Sequence, residues 1–253
     1  MIRAIFLKGW RPFMVLLLFF ISWEFSTNIW NIPVWMLPGP LQIIKEFIAV
    51  WSFFYEDVLA TIWLTLLGFF IGGSFGWGTA MVLHRVPLLR EAFYPFLILS
   101  QNIPIIVLAP LLVIWFGFGL LPKLIVITLI CFFPVAVSTL DGYKQTSSEL
   151  LHYMKMAGAT KRQIFWKLEF PSSLPMLFSG IKISATYSVM GAVISEWLGA
   201  KAGIGVFMTL ASSSFQTDRV FVAILTIMFI SLLFFWVIVL VEKIVLNGGK
   251  YDE

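Results

Sequence analysis

The chain has 253 residues, of which 60% are hydrophobic and only 12% are charged, and its formal net charge is +4. A soluble domain carries about 25% charged residues, so this composition excludes a water-soluble core and predicts an integral membrane protein in contact with lipid. The single cysteine, Cys131, excludes an internal disulfide framework. The dispersed positive residues disfavour nucleic-acid binding.

Apolar segments long enough to cross a membrane, which takes about 20 helical residues, recur along the whole chain. The predicted spans are approximately 12–30, 58–83, 93–117, 122–141, 174–198 and 220–242. Between the first two spans, Leu41–Tyr55 is predicted to form an amphipathic helix along the outer interface, after three prolines. The sequence therefore predicts an all-α polytopic membrane protein with six transmembrane helices, in a single transmembrane domain over residues 1–253.

The loops between these spans differ in positive charge, which predicts the orientation of the chain. With the N-terminus in the cytoplasm, twelve of the 17 Lys and Arg residues lie inside, four lie outside, and Lys182 lies within the fifth span, from which it can snorkel inward. Both termini are therefore predicted to be cytoplasmic.

A polar, basic stretch, Asp141–Pro175, lies between the fourth and fifth spans. Thr146–Glu149 and Thr160–Gln163 have the spacing of capping boxes, each of which starts a short helix. Gly158 between them suits a left-handed turn, and Pro171 is predicted to end the second helix. The stretch is therefore predicted to form a cytoplasmic helix–turn–helix insert.

Apolar residues recur at helical spacing within this insert, at approximately residues 146–171. They are Leu150, Leu151, Met154 and Ala157 in the first helix, and Ile164, Phe165 and Leu168 in the second. Helices this short need external support, so one side must rest on the membrane helices while the other can enter a groove on a partner. The alternative is an ordinary cytoplasmic loop that folds back on its own bundle.

The insert resembles the signature loop of the membrane permeases of binding-protein-dependent ABC importers. That loop runs Glu-Ala-Ala, three residues, Gly, nine residues, an aliphatic residue, one residue and Leu-Pro. Gly158, Leu168 and Phe170-Pro171 fill the later positions, whereas His152-Tyr153-Met154 departs from the opening triplet. Glu149, one turn earlier, is a candidate substitute for the missing acid.

Longer stretches carry the same resemblance. Residues 102–119, 132–144 and 179–208 are similar to permeases of the sulfonate, taurine and nitrate branch. EWLGAKAGIG (196–205) followed by FQTDRVF (215–221) resembles permeases associated with uptake of thiamine pyrimidine precursors. The resemblance implies an inner-membrane importer in which two six-helix subunits form one pore, two ATPases bind through the insert, and an external binding protein delivers the solute.

The resemblance and the insert pattern together predict a set of ATPase-coupling residues. These are Glu149, Met154, Ala157, Gly158, Ala159, Ile164, Phe165, Leu168 and Pro171. No G-x-x-x-x-G-K-[ST] phosphate loop occurs in the chain, so ATP hydrolysis is expected on another polypeptide. The chain itself is not expected to be an enzyme or to bind a cofactor or a metal.

Two groups of residues are candidates for the translocation pathway. Gln101, Asn102 and Pro104 lie at a predicted bend of the third span, where freed backbone groups need protein or water around them; the alternative is a simple kink. Ser184 and Ser188 lie in a row of small residues that leads to Glu196 in the fifth span. For this row the alternatives are a packing face and, for Glu196, a hydrated interfacial carboxylate.

Other classes of function remain open from the sequence. A stand-alone secondary transporter or channel is the main alternative, although internal repeats and midplane carboxylates, its usual signs, are not evident. A membrane enzyme is less favoured because no catalytic constellation is visible. The expected solute is a small polar nutrient, anionic or heteroaromatic, and two copies of the chain are the economical way to form a pore.

Overall fold

A computed structural model describes the backbone of residues 2–248 and the side chains of residues 10–246, and the regular structure in this range is helical. The helices are α1 (Ile2–Ile29), α2 (Pro40–Arg85), α3 (Pro87–Ser100), α4 (Ile105–Phe116), α5 (Leu120–Lys144), α6 (Ser148–Met156), α7 (Lys161–Ile164), a π-helical turn (Phe165–Glu169), α8 (Phe170–Glu196), α9 (Ile204–Ser213) and α10 (Thr217–Gly248).

Within the described residues, five helical segments are long and apolar enough to cross a membrane, and the bent pair of α3 and α4 makes a sixth if it counts as one span. The five are α1, α2, α5, the continuous segment Lys161–Glu196, and α10. The predicted third span is therefore not one straight helix.

The second span is longer than predicted, because α2 is a single helix of 46 residues. The expected interfacial helix Leu41–Tyr55 is its first part and not a separate element. No proline or glycine interrupts the chain between Leu41 and Gly68, so nothing in this part of the sequence forces a break. Val50, Phe54 and Val58 are buried at helical spacing and fix one face of this extension to the bundle.

The helix pair α3 and α4 meets at 99° around Gln101–Pro104. Pro104 cannot continue α3 because it lacks an N–H group, and it becomes the N-cap of α4. The side-chain amides of Gln101 and Asn102 donate to the carbonyls of Leu97 and Ile98, at 3.4 and 3.0 Å. The break thus satisfies some of its own backbone while leaving its polar side chains exposed.

The core of the bundle is formed by α2, α5 and α8, whose backbones approach closely at small residues. A methyl group on Gly72 would lie 2.6 Å from the carbonyl oxygen of Thr128 in α5, and one on Gly76 would lie 2.6 Å from that of Phe132. On α8, Gly180 meets the Pro134 carbonyl in the same way. The small-residue rows of the second and fifth spans are therefore helix-packing faces.

Over residues 10–29, helix α1 is almost entirely exposed, and it contacts the bundle near its C-terminal end. There Glu24 is half-buried, and its Oε2 accepts a hydrogen bond from the Leu41 N–H at 3.1 Å. This carboxylate therefore caps the N-terminus of α2, where negative charge is stabilised by the helix dipole.

Candidate functional site

The insert folds largely as its local signals predict. Gly158 has φ +76°, and the N–H groups of Gly158 and Ala159 donate to the carbonyls of Lys155 and Met154 at 3.1 and 3.0 Å. This is a Schellman ending for α6. Thr160 and Gln163 form the predicted capping box at the start of α7.

The first capping prediction is wrong by one residue. Ser147, not Thr146, caps α6, and its hydroxyl accepts from the Leu150 N–H at 3.3 Å. Thr146 is still attached to the end of α5, because its N–H donates to the Tyr143 carbonyl at 3.4 Å. The chain therefore leaves α5 one residue later than the sequence pattern indicates.

Pro171 does not end the second insert helix, contrary to the prediction. The helix runs without interruption from Lys161 to Glu196, and the π-helical turn at Phe165–Glu169 ends two residues before the proline. A proline within an α-helix lacks a donor and clashes with the carbonyl four residues earlier. The wider π turn relaxes this constraint, so the insert and the fifth span become one helix.

Phe165 is the centre of an aromatic cluster that attaches the insert to the bundle. Its side chain is only 3% exposed, and its ring lies 5.9 Å from that of Tyr143 and 6.1 Å from that of His84. The Arg85 guanidinium carbon lies 4.4 Å above the Phe165 ring. His84 is also within 3.0 Å of Glu169 Oε2, so the ends of α2 and α5 both hold this turn.

The predicted coupling residues therefore fall into two groups. Ile164, Phe165 and Leu168 are buried, and Phe165 at least packs on this chain's own bundle, so the three lie on the supporting side of the insert. Glu149, Ala157 and Gly158 are exposed, whereas Met154 and Ala159 are half-buried and Pro171 is exposed within the continuous helix.

The exposed side of α6 carries large apolar residues that the sequence reasoning did not select. Tyr153 is well exposed and Met156 is 82% exposed, and Leu150 lies beside them. The sequence grouped Leu150 with Leu151 and Met154, which instead face partly inward. Spacing alone could have identified Tyr153 and Met156, because they lie one turn from Glu149 and from each other on one face.

At the opposite end of the bundle, three side chains hold the N-terminus of α9. Asp57 Oδ1 accepts from the Gly203 N–H at 2.7 Å, Thr61 Oγ1 from the Ile204 N–H at 2.8 Å, and Glu196 Oε2 from the Gly205 N–H at 2.7 Å. Thr61 also donates to Glu196 Oε1 at 2.7 Å. These are the donors that a helix start leaves free, so α2 and α8 together cap α9.

Glu196 is only 2% exposed, so it is not the hydrated interfacial carboxylate that was one of its two interpretations. A methyl group on Gly203, which has φ +131°, would lie 2.3 Å from the Glu196 carboxyl carbon. On Gly205 it would lie 2.6 Å from the Val193 carbonyl oxygen. The glycines of the EWLGAKAGIG segment therefore make room for this carboxylate.

The structure separates the other pathway candidates. Ser184 and Ser188 are fully buried, and their hydroxyls donate to the carbonyls of Cys131 and Ala185, both at 2.9 Å. In this conformation those hydroxyls are not accessible to a solute, which favours the interpretation of this row as a helix-packing face. Gln101 and Asn102 remain exposed at the break between α3 and α4.

Lys182 does not snorkel. Its Nζ lies 2.8 and 3.0 Å from the two carboxylate oxygens of Glu242, which joins α8 to α10. Both side chains are partly buried. The sequence reasoning did not pair them, because Glu242 lies 60 residues further along the chain.

Together, the apolar helices define a polytopic membrane protein, and an amphipathic element is exposed at one end of its bundle. The model of the binding-protein-dependent transport system inner membrane component family matches residues 68–246, and the chain belongs to this family. It is a permease component of ABC import systems and not an enzyme, because a separate subunit hydrolyses ATP.

Relatives named for their transport functions match most of the chain. The formylaminopyrimidine transport permease protein ThiX of Halalkalibacterium halodurans is 34% identical over 95% of this chain and 96% of that protein. The riboflavin transport system permease protein RibX of Chloroflexus aurantiacus is 29% identical, over 92% and 87%. The taurine transport system permease protein TauC of Escherichia coli is 27% identical, over 78% and 74%.

Proposed function

We propose that this chain is the permease subunit of an ATP-driven importer for a small heteroaromatic nutrient of the thiamine-pyrimidine-precursor kind. The observation that carries the choice of solute is the similarity to ThiX, which extends over almost the full length of both chains. The similarity to the taurine permease covers less of each chain at lower identity, which makes a sulfonate the second choice.

The ATPase docks on the exposed face of α6. Tyr153, Met156 and Leu150 form an apolar surface at an end of the bundle that is otherwise rich in Lys and Arg. Aromatic residues and methionine are enriched in protein interfaces, and an amphipathic helix inserts such residues into a partner's groove. The exposed Glu149 on the same face takes the place of the acid missing at His152.

The insert and both termini lie in the cytoplasm, and two copies of the chain form the pore. The excess of Lys and Arg in the loops on the insert side supports the orientation. The helix break at Gln101–Pro104 supports the second copy, because irregular backbone at membrane depth needs protein or water beside it and not lipid. A binding protein delivers the solute from the other side.

Reconstitution tests this proposal. The chain is placed in liposomes with the ATPase and binding protein of its own operon, and uptake of radiolabelled formylaminopyrimidine is measured with and without ATP. We expect ATP-dependent uptake that excess unlabelled taurine does not inhibit. Uptake by the permease alone would support a secondary transporter, and uptake of taurine in place of the pyrimidine would overturn the choice of solute.

A substitution pair tests the docking face. Tyr153→Asp places a charge in the exposed apolar surface, whereas Ser148→Asp places the same charge on α6 about 140° away. We expect Tyr153→Asp to reduce co-purification of the ATPase at least tenfold and Ser148→Asp to leave it unchanged. Equal retention of the ATPase by both variants would show that this face does not make the contact.

A further inference from the structure

The outward stripe of α8 differs in polarity from the outward stripe of α10. Along α8 the exposed positions between 172 and 190 include the polar Ser172, Thr186 and Tyr187 beside Pro175, Ile183 and Met190, and Ser179 and Lys182 are half-exposed. Along α10 the exposed positions between 224 and 241 are all apolar, namely Ile224, Met228, Phe229, Leu232, Leu233, Trp236, Val237, Leu240 and Val241. Lipid suits the α10 stripe, whereas polar side chains within a span face protein or a water-filled cavity.

A groove of about 330 Å³ lies on this α8 stripe. It is lined by Ser179, Lys182, Ile183, Thr186, Tyr187 and Phe235. Lys182 lies near the middle of the 27-residue α8, where a charged side chain is costly in lipid.

The charges in the groove are balanced and still have capacity for hydrogen bonding. The Lys182 ammonium carries three N–H donors, and its contacts are the two oxygens of Glu242, so at least one donor remains for another partner. Each Glu242 oxygen can accept more than one hydrogen bond. A paired ammonium and carboxylate present no net charge, so the pair favours a neutral solute with both donors and acceptors over an anion.

We propose that this groove is a solute-binding site along the translocation pathway. The Lys182–Glu242 pair binds a small, uncharged heteroaromatic solute through the ring acceptors and amino donors of that solute. Tyr187 and Phe235 provide aromatic surface for such a ring, and 330 Å³ is at the small end of ligand sites. This inference rests on the proposed function and adds the residues that contact the solute.

Cysteine accessibility tests whether the groove contains water, independently of any solute. Cys131 is the only cysteine in the sequence and is buried, so Cys131→Ala gives a background without thiols. In the assembled complex with its ATPase, Thr186→Cys on α8 is compared with Leu233→Cys on α10, using a membrane-impermeant trimethylammonium thiosulfonate. We expect at least tenfold faster labelling of Thr186→Cys, because the reagent and the thiolate both need water.

Equal labelling of the two variants, or labelling of Leu233→Cys alone, would overturn the proposal whatever the solute is. Because labelling does not depend on uptake, it separates a failure of this inference from a failure of the proposed function. If Thr186→Cys labels quickly but the complex imports no pyrimidine, the result supports a water-filled groove and contradicts the choice of a pyrimidine as the solute.

A charge swap tests contact between Lys182 and the solute. Lys182→Met leaves Glu242 unpaired and can destabilise the fold, so the informative variant is Lys182→Glu combined with Glu242→Lys, which restores the pair. We expect the swap to recover folded protein and ATPase association while pyrimidine uptake stays at least tenfold below wild type. Full recovery of uptake would show that the pair only joins α8 to α10 and would overturn the role in binding.

Discussion

The two ends of the bundle are held together by different kinds of contact. At the insert end, Phe165 packs among the rings of His84 and Tyr143 below the Arg85 guanidinium. At the far end, defined by Glu196 and α9, side chains accept three successive backbone N–H groups at 2.7–2.8 Å. The insert end combines this aromatic packing with one His84–Glu169 contact, whereas the far end adds three directional hydrogen bonds to the packing of Phe207 on Phe54.

This difference determines what each end tolerates. Aromatic packing accepts a range of offset and tilted geometries, so the ring contacts of Phe165 tolerate small shifts of the insert on the bundle. Hydrogen bonds weaken steeply with distance and angle, and an unpaired buried carboxylate is costly. The insert end is therefore suited to receive a variable force, whereas α9 moves together with α2 and α8 or loses its caps.

The strongest test of the far end removes its buried carboxylate. Glu196→Ala leaves the Gly205 N–H and the Thr61 hydroxyl without their acceptor, and each buried donor left unpaired costs about 1–3 kcal/mol. We expect a large drop in the apparent melting temperature of the detergent-purified complex. Glu196→Gln, which keeps one acceptor oxygen, should lower the melting temperature less than Glu196→Ala does. Melting of Glu196→Ala at the wild-type temperature would show that α9 does not depend on this cap.

A slightly smaller loss is expected from the packed end. Phe165→Ala removes a buried ring, for which about 3 kcal/mol is typical, and it should loosen the insert and weaken ATPase binding together. Trp166→Ala removes the neighbouring ring, which packs edge-on against Phe165 but is 46% exposed, and it should lower the melting temperature less. If Phe165→Ala lowers ATPase binding without changing the protease sensitivity of the insert, Phe165 contacts the ATPase directly. The division of the predicted coupling residues into a buried supporting group and an exposed group is then wrong.

The hydroxyl of Thr61 provides a sharper test of directionality. Thr61→Val keeps the shape but removes an acceptor for Ile204 and a donor to Glu196, at a cost of about 2 kcal/mol. Thr65→Val, one turn along α2, is the matched control, because the buried Thr65 hydroxyl has no hydrogen-bond partner among the described residues. Equal melting temperatures for the two variants would show that hydrogen bonds do not fix the far end.

The smallest change is expected at the turn between α6 and α7. Gly158→Ala meets no atom within 4 Å, so its cost is the left-handed backbone alone, about 1 kcal/mol. Gly73→Ala, also in open space but within α2, should be neutral or stabilise by up to about 1 kcal/mol. Thermal melting of both variants checks this, and a gain in stability at Gly158 would contradict the predicted strain.

Local signals in the sequence predicted local structure well. The Gly158 turn and the Thr160–Gln163 capping box need only neighbouring residues, and both are present. The family was also predicted correctly, because the insert and several long stretches match it in order. The effect of Pro171 was predicted wrongly because it depends on the π turn before the proline, and no residue type in the sequence indicates that turn.

The arrangement at the far end could not be predicted from the sequence for a different reason. The burial of Glu196 depends on Thr61, which is 135 residues away, and the pairing of Lys182 with Glu242 spans 60 residues. Residue spacing in a single sequence does not predict contacts between residues that lie so far apart along the chain. The EWLGAKAGIG glycines were a usable signal, since a charged residue followed by closely spaced glycines indicates tight backbone packing around it.

The uninterrupted helix Lys161–Glu196 has a mechanical consequence. Its 36 residues make a rod of about 54 Å at 1.5 Å per residue, which begins beside the Gly158 turn and ends at the carboxylate that caps α9. Pivoting such a rod by about 5° displaces one tip by about 5 Å relative to the other. If the ATPase acts at the insert as proposed, this helix transmits the movement as a lever to the opposite end of the bundle, where the displacement is comparable to the width of a small aromatic ring.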